Sequence, residues 1–292
     1  MLTVIQAFDA IRQGLELTEP QRQAASEQQN VVRGNLRQHL GGLVRDFLSG
    51  SYARRTAIRP LHDIDLFIVL DPRIHPDVAP SQWQQSSSGC LSKVQGALAR
   101  AYPNTPALKL QDHSVNIEFS GTGIGFDIVP AFENRVGVYL IPDRGRNAWI
   151  ETDPEAQAKV LVDANARAGD KLNPLIKMIK RWKDEHDVPL RSFHLEVMSY
   201  GAFRAAPASY PEGVRALFGH LASAVLTACP NPVDVGPNID AGMTQAERTM
   251  AREKLLEAER TAVRALQFDA ASQTAGAHEL WRTLFGSAYK ST

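Results

Sequence analysis

The chain of 292 residues reads as an α+β protein: a mixed sheet with flanking helices, then a C-terminal helical lobe, with an active cleft between them. Three observations predict this. Short apolar runs separated by turn residues cluster between residues 64 and 129, as strands do. After Pro142 such runs give way to long stretches of helical spacing. Two of the longest stretches open on a capping box, Thr18 with Gln21 and Thr244 with Glu247, whose side chains satisfy the first free amides of a helix. The expected division is a catalytic core with the N-terminal helices over 1–153 and a helical lid over 154–292.

Along the chain, residues 1–15 carry apolar side chains at helical spacing (Leu2, Ile5, Phe8, Ile11), with Gly14 near the stop. A longer helix follows to about Leu40, with Ala24, Val31, Val32, Leu36 and Leu40 as its buried stripe, closed by Gly41-Gly42. A Gly-Ser turn and a strand over 64–70 come next. The uncharged stretch 78–92 is a loop entering a helix that ends at Arg100. Strands are expected near 107–111, 114–120 and 124–129, the last two joined at Gly121-Thr-Gly123. The remaining helices are placed at 154–167, 171–186, 192–206, 213–228 and 244–270, with a Pro- and Gly-rich loop over 230–242.

The chemistry concentrates in Ser49-Gly-Ser-Tyr-Ala-Arg-Arg-Thr-Ala-Ile-Arg-Pro-Leu-His-Asp-Ile-Asp-Leu-Phe-Ile-Val-Leu70. Residues two apart on a strand share a face, so Asp63 and Asp65 project together while Ile64 turns to the core. Paired carboxylates suit a hard, oxygen-ligated cation such as Mg²⁺. Upstream, Gly50-Ser51 allows close approach of a phosphate to backbone amides and a hydroxyl. A third acid, Asp127, sits in the apolar run Gly125-Phe-Asp-Ile-Val-Pro-Ala131, a costly place for a carboxylate unless it is paired or metal-bound.

This pattern resembles the polymerase-β-like nucleotidyltransferase superfamily, and within it the bacterial cGAS/DncV-like nucleotidyltransferases of anti-phage signalling. Leu175-Ile-Lys-Met-Ile-Lys-Arg-Trp182 and Ser192-Phe-His-Leu-Glu196 resemble later family segments, and the likeness runs from about Phe47 to Tyr200. Two positions depart from it: Arg55 stands where glycine is common and His62 where a small serine is common. The resemblance implies that Asp63, Asp65 and Asp127 hold two Mg²⁺ ions, with Mn²⁺ able to substitute, and that Asp127 lies closest to the proton transferred. It further implies that Gly50, Ser51, Lys180 and Ser192 grip a triphosphate, that Phe193 stacks on a base, and that Thr152 and Asp153 contact the base. Read alone, Lys180 is one of several cations on a basic helix face, Ser192 a helix cap, Phe193 and Trp182 core residues, His194 a packed histidine, and Asp153 the cap before Pro154.

Composition narrows the alternatives. With 32 basic and 32 acidic residues the formal charge is zero, which argues against a broad nucleic-acid-binding face. Two distant cysteines, Cys90 and Cys229, support neither a disulfide framework nor a zinc site and fit a reducing cytoplasm. No signal peptide or membrane-spanning run is evident. The expected function is a cyclic dinucleotide or trinucleotide synthase, monomeric and cytoplasmic, that consumes ribonucleoside triphosphates and releases pyrophosphate. The resemblance adds a protein activator and a downstream effector that reads the product. A template-independent RNA nucleotidyltransferase of CCA-adding or poly(A) type shares the acids but needs a basic surface for RNA. A silent nucleotide-binding scaffold is disfavoured by the presence of all three carboxylates.

Overall fold

The computed structural model describes residues 1–80, 87–104 and 108–292. Helices α1 (Val4–Leu15) and α2 (Glu19–His39) each open on a capping box, Thr3 with Gln6 and Thr18 with Gln21. α1 buries Val4, Ala7, Phe8, Ile11 and Leu15, so Ile5, an expected core position, faces solvent. α2 buries Ala25, Val32 and Leu36, leaving Val31 exposed and Ala24 half-buried. Successive helical residues lie about 100° apart, so only one of two neighbouring apolar residues can centre on the core.

After Gly41 and Gly42, both at positive φ, the chain forms strand β1 (Leu43–Ser49), the one-turn helix α3 (Gly50–Ala53) and strand β2 (Asp63–Leu70). Then come α4 (Ser87–Ala101), β3 (Lys109–Leu110), β4 (Val115–Phe119), β5 (Ile124–Arg135), β6 (Val138–Asp143) and β7 (Ala148–Thr152). The sheet order is β1-β2-β5-β4-β3, with β6 on the later half of β5 and β7 beside β6. β2 and β5 run parallel, and the other pairs are antiparallel. Residues 81–86 of the expected loop and Ala107 of the expected strand lie outside the described residues.

Three strands, β1, β6 and β7, have no expected counterpart in the sequence. β1 is an edge strand whose apolar run is broken by Arg45 and Asp46, and β7 is half-buried throughout, so neither shows alternation. The polar stretch after Pro142 is therefore the turn of the β6–β7 hairpin, and helix begins only at Pro154.

The lobe comprises α5 (Pro154–Arg167), α6 (Leu172–Glu185), α7 (Ser192–Ser199), α8 (Tyr210–Ala224), α9 (Gln245–Ala270) and α10 (Thr274–Phe285), ending in a 3₁₀ turn at Gly286–Ala288. α7 stops short of the expected residue 206, ahead of Gly201 and Pro207. α8 begins early because Ser209 caps it, its hydroxyl accepting from the Glu212 amide. α10 was hidden by Gly276, which weakens a helical pattern. A Cβ there would lie 3.0 Å from the Phe268 ring, so the glycine permits close helix packing.

One apolar cluster fills the space between the sheet and α2 and α4, with Ile64, Leu66 and Ile68 of β2, Phe126 and Ile128 of β5, and Val115 and Ile117 of β4. A smaller cluster of Phe67, Val69, Val129, Ala131, Tyr139 and Ile141 covers the opposite face. A third unites the helical lobe and takes in α1, the first element of the chain. There Phe8 makes edge contacts with Trp281, Phe285 and Tyr289, at centroid distances of 4.7, 5.8 and 6.0 Å. Phe8→Ala is expected to destabilise the protein by about 3–5 kcal/mol, as truncating a buried aromatic does, visible as a lower urea midpoint. Cys90 and Cys229 are buried free thiols, and no helix among the described residues is long and apolar enough to cross a membrane.

Candidate active site

The register of the central strands assembles the acids. On β2, Ile64, Leu66 and Ile68 face the larger sheet core, so Asp63 and Asp65 share the opposite face with Phe67 and Val69. On β5 the same alternation puts Asp127 on the face of Val129 and Ala131. Asp65 and Asp127 are direct partners in the parallel ladder, and Asp63 is opposite Gly125. The three carboxylates thus stand side by side where the small apolar cluster ends. Gly125 leaves room for them, since a Cβ at that position would lie 2.5 Å from Asp63 Oδ1.

Asn116 completes this edge. Its β4 neighbours Val115 and Ile117 are core residues, so the amide emerges on the acid side, directly opposite Asp127 in the ladder. Its Nδ2 donates to Asp127 Oδ1 at 2.9 Å and to Asp63 Oδ1 at 3.5 Å. Its signal in the sequence is a lone amide within the apolar run Val115-Asn-Ile117. Among the described residues no three His, Cys, Asp or Glu side chains close around a single point. The acids form an open row with a donor lying between two of them.

Electrostatics follow from this crowding. Burial, with a smaller push from Asp63, raises the Asp65 carboxyl, while Arg54 and Lys180 pull it back. Asp127 is pushed up to about 6 by burial and by Asp65 and Asp63, against the lowering hydrogen bond from Asn116. Asn116→Ala deletes that donor, so the Asp127 pKa should rise further. In metal-free protein Asp127 should then take up its proton at higher pH in the variant than in the parent, as an NMR titration of its carboxyl would read.

The Gly50-Ser51 turn is held against the same carboxylates. Ser49, the last residue of β1, pairs with Asp65, and Gly50 then turns the chain at φ +63°. A Cβ on Gly50 would fall 1.6 Å from Asp65 Oδ2, so only glycine fits. The amides of Thr56 and Ala57 donate to the Ser51 carbonyl at 2.9 and 3.0 Å, folding the following loop back on the turn. Arg55, where the resembling family commonly has glycine, adopts φ +58°, the left-handed region that glycine enters most freely.

A cleft of about 270 Å³ opens beside this turn, with Ser51, Asp63, Asp65, Lys180, Arg181 and Ser192 in its wall. A larger surface hollow of about 620 Å³, lined by Glu16, Tyr52, Ala53 and Lys177 among others, includes none of the three aspartates. Ser192 is exposed at the first position of α7, and Arg191 rather than Ser192 occupies the capping position. Lys180 is 4% exposed, and its ammonium donates to Glu196, to the Thr56 carbonyl and to the Thr56 hydroxyl. Phe193 is half-buried, with the Arg54 guanidinium 4.5 Å above its ring. His194 and Trp182 are both 1% exposed. Thr152 pairs with Tyr139 at the end of β7, and Asp153 caps α5 by accepting from the Ala156 amide at 2.9 Å. Neither belongs to the cleft wall. Arg54, Thr56 and Glu196, prominent in the structure, were given no role in the sequence reading.

Comparison with known proteins gives consistent matches. The family model described as Second Messenger Oligonucleotide or Dinucleotide Synthetase domain matches residues 2–165. The cyclic AMP-AMP-AMP synthase of Acinetobacter sp. is 27% identical over 266 residues, spanning 84% of this chain and 73% of that protein. The structure of CdnC from Escherichia coli MS115-1 with ATP covers 99% of both chains with a TM-score of 0.75 and 22% identity. The same cyclase in complex with HORMA-deltaN matches over 98% of both chains with a TM-score of 0.74 and 22% identity. Apo DncV of Vibrio cholerae is similar over 99% of this chain and 96% of its own, with a TM-score of 0.79 and 15% identity. At these identities the structural likeness carries the fold, a polymerase-β-like nucleotidyltransferase sheet with a helical lobe.

Proposed function

Because the chain belongs to the Second Messenger Oligonucleotide or Dinucleotide Synthetase family, we propose that it joins ribonucleoside triphosphates into a cyclic oligonucleotide and releases pyrophosphate at each bond. It is a nucleotidyltransferase, a cyclic nucleotide synthase. The observation that carries the mechanistic reading is the row of Asp63, Asp65 and Asp127, in register on adjoining parallel strands and flanked by the Gly50-Ser51 turn.

These residues suit divalent cations. All three ligands are carboxylate oxygens, which favour Mg²⁺ and accept Mn²⁺. Two of the three have proton affinities raised by burial and mutual repulsion, which a cation relieves. Asn116 already brings a positive dipole between Asp63 and Asp127. When bound, a pair of such ions would make the acceptor hydroxyl more acidic and neutralise the departing pyrophosphate.

The chain's own residues supply the rest. Gly50 and Ser51 present backbone amides and a hydroxyl to the donor phosphates, with Ser192 facing them from the helical lobe. Asp127 lies nearest the attacking hydroxyl and takes or relays its proton. The hydroxyl oxygen bonds to the donor α-phosphorus as the bond to pyrophosphate breaks. Repetition within the linear product closes the ring. Phe193 is assigned to base stacking by resemblance alone, and the Arg54 guanidinium already lies over its ring. Thr152 and Asp153 are assigned to base contact by resemblance alone, and Asp153 has a structural task in capping α5.

The synthase relative makes adenylates in its name, and CdnC was solved with ATP and with a HORMA protein. We extend to this chain a ribonucleotide substrate class that includes ATP, and a protein activator of that kind. A cytoplasmic setting, a monomeric enzyme, an effector that reads the product and a role in anti-phage signalling complete the reading, as does the division into a core over 1–153 and a lid over 154–292, with α1 of the first segment packed in the lid. The test is pyrophosphate release from the four ribonucleotides with Mg²⁺ or Mn²⁺, with and without a candidate activator. Release that requires the metal is expected. Its absence under every activating condition would contradict the proposal, and release only upon added RNA would favour RNA tailing.

A further inference from the structure

A neutral side chain crosses the row of acids. In the sheet order β2-β5-β4, Asp63 and Asn116 stand on strands that do not touch, with β5 between them. Neighbouring strands lie about 4.8 Å apart, so a side chain that spans the middle strand must pass over one of its residues. That residue is Gly125, the ladder partner of Asp63. A Cβ on Gly125 would lie 2.5 Å from Asp63 Oδ1 and 3.5 Å from Asn116 Nδ2, so the bare glycine leaves the amide its path. Asn116 is 5% exposed and stands between the core residues Val115 and Ile117, which fix it at its base. Its Nδ2 donates to Asp127 Oδ1 at 2.9 Å and reaches Asp63 Oδ1 at 3.5 Å. Charge sets the orientation of the amide, because its oxygen turned this way would meet only carboxylate lone pairs.

We propose that Asn116 is a positioning residue of the metal site, holding the Asp127 carboxylate by Oδ1 and leaving Oδ2 for a cation and the acceptor hydroxyl. This rests on the proposed function, whose third metal ligand the amide orients. A carboxylate has about four lone-pair sites, so one amide donor leaves room for a cation. The neutrality of the donor matters. A lysine or arginine here would orient Asp127 as well, but its charge would cancel the one that draws Mg²⁺ to the row. An amide gives direction without charge, and it has no proton to lose near neutral pH. Without it, Asp127 is free to turn among its rotamers, driven from Asp63 by repulsion, and a cation must order it again on binding. Outer hydrogen-bond partners of metal ligands typically carry about ten- to a hundredfold of metal affinity.

The test is Mn²⁺ binding by the nucleotide-free full chain, followed through the EPR signal of free Mn²⁺. The proteins compared are the parent, Asn116→Leu, Asn116→Ala and Asp127→Asn. Leucine is close to asparagine in size and lacks the donor, and alanine removes the whole amide. Both should weaken, by about ten- to a hundredfold, the same site that Asp127→Asn weakens. Adding Asn116→Leu to Asp127→Asn should weaken it no further, because the amide acts through that carboxylate. With nucleotides at low Mn²⁺, both Asn116 variants should turn over slowly and recover as Mn²⁺ is raised, a rescue that a folding defect would not show. If both bind Mn²⁺ like the parent while Asp127→Asn binds it less tightly, the proposal is overturned and the metal reading stands. It is also overturned if Asn116→Leu weakens binding equally in the Asp127→Asn background, or if only the melting temperature falls. Should Asn116→Leu fail to fold, Asn116→Ala decides in both backgrounds. A parent without a Mn²⁺ site, or with one that Asp127→Asn leaves intact, would overturn the metal reading and this proposal with it.

Discussion

Asp65→Asn should abolish synthesis while leaving the metal-free protein at least as stable as the parent. The loss of turnover is expected to be roughly a thousandfold or more, because removing a ligand that holds transition-state charge costs about 4 kcal/mol. The stability expectation has the opposite sign because Asp65 is a half-buried carboxylate beside Asp63 and in ladder register with Asp127, and its proton affinity is raised. Neutralising it relieves repulsion that the fold otherwise carries. A coupled pH effect follows from Asp127, whose pKa is pushed up to about 6. A raised carboxyl binds its proton more tightly in the folded state, so its unfavourable contribution is fully present above about pH 6. That contribution fades as pH falls from about 6 toward the unfolded value near 4. Metal-free protein should therefore gain stability from this group on mild acidification, a gain that bound Mg²⁺ should suppress. Thermal melts at several pH values, with and without Mg²⁺, and a turnover assay of the variant check these expectations. A destabilised Asp65→Asn variant with substantial activity would contradict the assignment.

Gly50→Ala should be nearly as damaging, through geometry alone. The added methyl would stand 1.6 Å from Asp65 Oδ2 and 2.4 Å from its Cγ. Asp65 cannot easily yield, being fixed by ladder pairing to Ser49 on one side and Asp127 on the other. Either the turn or the carboxylate must shift by about an ångström, a displacement that costs on the order of a hundredfold in rate. The φ of +63° adds backbone strain for alanine of about 1–2 kcal/mol. Gly41→Ala is the matched control: φ is +70°, but nothing lies within 4 Å of the added methyl. It should show the strain in its unfolding midpoint and retain kcat. Equal activities in the two variants would mean that the turn and Asp65 are not mutually constrained.

The acids and the turn were legible in the sequence because their signals are local. Asp63 and Asp65 obey a two-residue strand period, and Gly50 marks a turn. Asp127 stood out as a carboxylate in an apolar strand. Thr18-Gln21 and Thr244-Glu247 likewise mark helix starts within four residues. Features that depend on long-range pairing were not legible. Edge strand β1 draws its stability from β2, and β6 from β5, and neither shows that dependence in its own residues. α1 packs in the helical lobe although chain order groups it with the catalytic half. The Lys180–Glu196 pair joins one helix to the next and reaches Thr56 more than a hundred residues earlier, which no spacing rule exposes. Asn116 gains meaning only once β4 is set beside Asp127.

The central claim is that the three aspartates direct the joining of ribonucleotides into a ring. Its most direct measurement is product analysis after incubating the purified chain with labelled ribonucleotides, singly and in pairs, with Mg²⁺ or Mn²⁺ and a candidate activator, followed by phosphatase treatment. The account predicts a phosphatase-resistant product formed by the parent and absent from the Asp63→Ala/Asp65→Ala variant. A resistant product formed equally by that variant would contradict the assigned site. A phosphatase-sensitive ladder that grows only on added RNA would contradict cyclic synthesis itself.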